Sequence, residues 1–105
     1  MGYRHAIKSE GGAIDSTYGP LTGPQTLSAI LVNVNTAPTT SESLTVTLDS
    51  VDGGEHDVVI YGKDLISTTS VALTEIDLRL DTGDALRVEY ANTDARIIGV
   101  RLVLK

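Results

Sequence analysis

The chain has no cysteine, no tryptophan and no phenylalanine, and its single methionine is the first residue. Without cysteine there are no disulfides, no thiolate metal site and no thiol nucleophile, and nothing marks a redox compartment. Without Trp and Phe the core has to be built from Leu, Ile, Val and Ala, supported by four Tyr residues. No run approaches the roughly 18 consecutive apolar residues of a membrane span. Residues 1–8 lack the apolar stretch of a signal peptide, so no export and no membrane contact are expected. Basic residues are scarce: 8 Lys and Arg stand against 14 Asp and Glu, a formal charge of −6. Residues 9–78 carry ten acids and one base, Lys63. Phosphate contact needs a basic surface, so nucleic acid is not an expected partner. The basic N-terminal end, Arg4 and Lys8, suits contact with an acidic protein neighbour.

What is present is alternation. In Leu44–Leu48, Ile76–Leu80, Leu86–Tyr90 and Ile98–Leu102, apolar residues take every second position and polar or charged residues take the others. Successive side chains of a strand point to opposite faces, so these segments predict half-buried antiparallel strands. Strands are predicted near 28–35, 43–49, 56–62, 70–79, 84–91 and 95–104. Between them lie turn residues such as Ala37–Glu42, Asp52–Glu55, Asp81–Asp84 and Asn92–Asp94. Many short strands with almost no helical period predict an all-β fold, an antiparallel β-sandwich of jelly-roll-like form.

The same alternation assigns the core. Ile30, Val32 and Val34 share a face, as do Leu44, Val46 and Leu48; Val58 and Ile60; Ile76, Leu78 and Leu80; Leu86, Val88 and Tyr90; and Ile98, Val100, Leu102 and Leu104. On the opposite faces, Arg79 and Arg87 are placed to meet an acid across strands. The last strand breaks the rule. Its second face carries Ile97, Gly99 and Val103 beside Arg101, which suits a central strand or one covered by a neighbouring subunit.

Residues 1–26 are different in kind. Gly11-Gly12, Gly19-Pro20 and Gly23-Pro24 are breaker pairs, and only Tyr3–Ile7 suggests a strand. A stretch this long without structure is unusual inside a compact domain. The division expected is therefore an extended arm over 1–26 and a sandwich domain over 27–105. Tyr3, Ile7, Ile14, Tyr18 and Leu21 are anchors that a plain linker would not need. They are expected, with Arg4, Ile97, Arg101 and Val103, to contact a partner.

Sites of chemistry are hard to find. Asp49–Asp57 gathers four carboxylates, but not at the alternate positions of a calcium-binding loop, and Gly53-Gly54 marks a hairpin turn. His5 and His56 stand in no metal-ligand spacing. No Gly-x-Ser-x-Gly elbow and no phosphate-cradling glycine loop precedes a helix. No catalytic residue, metal or cofactor is expected, and the chain is expected not to be an enzyme. One alternative is glycan or receptor binding, with Tyr61 as an exposed platform opposite Val58 and Ile60.

Two segments carry a resemblance: Ala37–Ser50, and Thr82–Val100 with its Asn92-Thr-Asp-Ala-Arg96 stretch. They resemble small β-sandwich virion proteins of tailed bacteriophages, of the head decoration or cement kind or the accessory neck and tail kind. The likeness covers residues 27–105 and brings no catalytic residues. It implies a virion structural protein that decorates and stabilises the capsid after assembly in the host cytoplasm. It further implies contact with the major capsid protein or other virion proteins, and a homo-oligomer, a trimer being the favoured arrangement. The alternative role is a binding module on the tail or neck.

Overall fold

The computed structural model describes residues 3–105; of Tyr3 it describes the backbone alone, so the expected side-chain contact at Tyr3 lies outside the described residues. Among the described residues nine strands form: β1 (Tyr3–Glu10), β2 (Ile14–Tyr18), β3 (Gln25–Val34), β4 (Ser43–Asp49), β5 (Val58–Asp64), β6 (Ser70–Leu73), β7 (Leu78–Leu80), β8 (Ala85–Tyr90) and β9 (Ile97–Leu104). One turn of 3-10 helix, Gly54–His56, lies between β4 and β5. No helix among the described residues is long and apolar enough to cross a membrane.

The strands make an all-β sandwich of two antiparallel sheets. One runs β1-β9-β3-β6, with β7 also on β3; the other runs β2-β8-β4-β5. The pairings are nested: β4 with β5, β3 with β6 and β7, β2 with β8, β1 with β9. The chain is thus wound as one long hairpin folded across two layers. The inner faces meet in one apolar cluster. Leu27, Leu44, Val46, Leu80, Ile98, Val100, Leu102 and Leu104 are wholly enclosed there. A fully buried side chain of this size contributes about 1.5–3 kcal/mol relative to exposure.

Several expectations are corrected. First, residues 3–18 are not an arm. Tyr3 lies opposite Leu104 along β1, and Ile14 lies opposite Tyr90 along β2. Ile14 and Leu21 are buried in the core and so unavailable to a partner. The Gly11-Gly12 pair breaks the chain between two strands that enter different sheets, which is why the local sequence looked unstructured. Second, bulges shift two strands. In β3 the register slips between Leu27 and Ala29, so Leu27 and Ile30 both point inward despite their odd spacing. In β4–β5 it slips between Val46 and Thr47. Val46 then faces Tyr61, and Tyr61 packs half-buried against the core while Val58 and Val59 are exposed. Third, Arg79 and Arg87 pair along their own chain segments, with Asp81 and Glu89, not across strands. The predicted strand over 70–79 is also two short ones, β6 and β7, separated by residues 74–77.

Candidate functional site

The outer face of the five-stranded sheet is the part of the molecule that departs most from a solvent-facing surface. β9 is central there, hydrogen-bonded to β1 on one side and β3 on the other. Its even positions, Ile98 to Leu104, fill the core. Its odd positions make the outer face, and the register sets their neighbours. Val103 lies between Arg4 and Ala29, Arg101 between Ala6 and Leu31, and Gly99 between Lys8 and Asn33; Ile97 lies opposite Glu10. On the far side Leu31 faces Ala72. Ala6, Lys8, Leu31, Ala72, Gly99 and Arg101 line a shallow open hollow of about 730 Å³, mostly with apolar atoms, while Arg4, Ala29 and Val103 lie beyond it on the same face.

Gly99 is the centre of this hollow. Glycine weakens a strand interior, and it is usually kept there by a bulge or by the close approach of something else. A Cβ at Gly99 would meet nothing within 4 Å, and its backbone lies outside the left-handed region. Neither packing nor backbone geometry within the chain therefore demands glycine. What its absence of side chain does is keep the hollow open.

The charge of the face is also unusual for an acidic molecule. Arg4, Lys8 and Arg101 stand against Glu10 alone. Lys8 is taken by Glu10 at 2.8 Å, an ion pair that raises the Lys8 pKa and lowers that of Glu10 through their hydrogen bond. Arg4 and Arg101 make no ion pair among the described residues. Of the expected contacts, Arg4, Ile97, Arg101 and Val103 share this face, while Ile7 and Tyr18 turn inward against the core. Leu31 and Ala6 belong to the face and were not singled out in the sequence. The unbroken apolar run Ala29–Val32 was the available signal, since it leaves no polar side for β3.

The two segments that carry the phage resemblance meet at one end of the sandwich. The Asp94 carboxylate accepts the backbone N–H of Thr39 at 3.0 Å and of Thr40 at 2.9 Å, and the Thr40 hydroxyl at 3.0 Å. These bonds, led by the Thr40 N–H, hold its pKa below the usual carboxylate range. Glu42 in turn accepts the backbone N–H of Thr93 at 2.9 Å and its hydroxyl. Arg96 donates to the Ala37 carbonyl at 3.2 Å. Asn92, buried with φ 54°, donates to the carbonyls of Gly12 and Arg96 and accepts the Arg96 N–H. The polar side chains from Asn92 to Arg96 thus join loops, with the buried Arg96 Nε alone left without a partner among the described residues. Its arrangement is a structural clasp.

At the opposite end, the buried Asp84 accepts the N–H groups of Asp81 and Val51, both at 2.9 Å. The β4–β5 loop closes the same way, Asp57 accepting the Ser50 N–H at 2.8 Å. No group of three or more His, Cys, Asp and Glu side chains suited to a metal gathers among the described residues. His5 stacks on Tyr18 with ring centroids 4.9 Å apart, far in sequence from His56 on the exposed β4–β5 loop. Tyr61, the expected glycan platform, faces inward, and burial raises its pKa.

No protein-family model and no curated protein matches the chain. Among solved structures, the fold is similar to a chain in the acidic stable capsid structure of Helicobacter pylori bacteriophage KHP30. The TM-score is 0.57 at 12% identity, over 98% of this chain and 86% of that one.

Proposed function

We propose that the chain is a non-enzymatic structural protein of a tailed-phage virion, packed against capsid neighbours that it reinforces. The observation that carries this reading is the fold likeness, end to end, to a chain of a phage capsid structure. The resemblance over 37–50 and 82–100 points the same way. The apolar, glycine-floored outer face supplies a surface suited to a protein neighbour. The partners on this reading are the major capsid protein or other virion proteins, and the place is the assembled particle.

The test is a density map of purified particles from the phage whose genome encodes the chain, with peptide mass spectrometry of the same sample. Regularly placed copies on the head are expected. Absence of the chain from particles would overturn the proposal, and density confined to the tail tip would replace it with the tail-module alternative. On that alternative Tyr61 would serve from a half-buried position on β5.

A further inference from the structure

A second region complements the basic hollow. Residues 49–59, at the β4–β5 corner, hold Asp49, Asp52, Glu55 and Asp57 and no Lys or Arg. Three valines stand out from this corner: Val51 is 55% exposed, Val58 53% and Val59 59%. They are the most exposed large apolar residues of the described chain, and the same segment carries the four acids. The corner therefore has an apolar tip with an acidic rim. The hollow on the other sheet has an apolar floor, from Leu31, Gly99 and Ile97, with Arg101 on its lining and Arg4 further along the same face, neither in an ion pair among the described residues. One surface is convex and negative; the other is concave and positive.

Both features lie on every copy but on different sheets, and β5 is an edge strand whose outer side has no partner among the described residues. We propose that the hollow is filled by the β4–β5 corner of a second copy, so that copies associate head to tail. Val59, which shares the outer face of its sheet with Thr47, lies over Gly99, where a side chain would block it, and Arg101 faces the Asp52–Asp57 rim. Charge complementarity of this kind fixes orientation and speeds encounter. A contact between two unlike surfaces closes into a ring or continues as a row, according to the rotation per step. This deepens the reading of the face as a protein contact and does not depend on the virion assignment, which particle composition tests separately.

Sedimentation of the purified full chain tests it. Wild type is expected to shift from monomer to larger species between about 1 µM and about 1 mM. Raising salt from about 50 mM to about 500 mM is expected to weaken that shift. Arg101→Glu and the double change Asp52→Lys with Glu55→Lys are each expected to weaken it at least tenfold. Mixing those two variants restores association, because each then offers the other a complementary surface. Gly99→Val is expected to keep the fold, by circular dichroism and melting temperature, yet stay monomeric. A wild type monomeric throughout, association indifferent to Arg101→Glu, or two variants that do not rescue each other would overturn the proposal.

Discussion

Single residues in this protein divide into those that hold loops and those that keep space. Asn92 does the first. Its left-handed backbone suits Asn, and its side chain meets three backbone groups. Asn92→Ala leaves those groups unpaired in a buried place and is expected to cost about 1–3 kcal/mol in denaturant unfolding. Asp94 acts beside it from a more exposed position, so Asp94→Ala is expected to lower the melting temperature measurably at pH 7. Because its folded pKa is lowered, that contribution is present above the ordinary carboxylate pKa and is lost as pH falls through the folded one. His5 gives a separate window. Its ring is half-buried on Tyr18 with Nε2 unpartnered, and burial lowers its pKa. The unfolded chain then binds the proton more readily, so stability is full above about pH 6.5 and falls as pH drops through the folded value. Thermal melts of wild type and His5→Phe between pH 7 and 5 check this. The variant should lack the decline, and a parallel decline in both would assign it elsewhere.

Elements decide whether the N-terminal residues are ornament or framework. β1 covers one edge of β9 along its whole length, and β2 covers β8 from Leu86 to Tyr90. Deleting residues 1–18 is therefore expected to leave an unfolded or aggregated chain by circular dichroism, because β9 and β8 would each lose a full ladder. An arm would have left a folded body behind. β9 is the other extreme, a central strand enclosed on one face and open on the other. Leu102→Ala should cost about 2–5 kcal/mol in urea unfolding, since the side chain is wholly enclosed. Changes at Arg101, one residue away on the outer face, should leave the midpoint nearly unmoved. Alternation in 76–80, 86–90 and 98–102 was legible at this scale, since β8 and β9 bury every residue assigned to their cores. The slips in β3 and β5 were not. A bulge adds one residue to one strand against its partner, and neither strand alone carries a signal for it.

At the scale of the whole molecule, the acidic charge and the basic sheet face act together. Net charge of −6 keeps copies apart in general, while one hollow and one corner of opposite sign permit a single mode of approach. Composition and period by themselves determined a cysteine-free all-β protein with an aliphatic core and one strand apolar on both faces. These are local properties, because inside-outside alternation follows from the period of two in a strand. Only the tertiary structure decided that Tyr3 lies opposite Leu104, that Asp94 reaches back to Thr39 and Thr40, and that Tyr61 turns to the core. Each of these joins residues that the chain separates, and in a nested hairpin the outermost pair is joined last in sequence and farthest apart. Pairing across such distances depends on the register of every strand between, so no short stretch of sequence contains it.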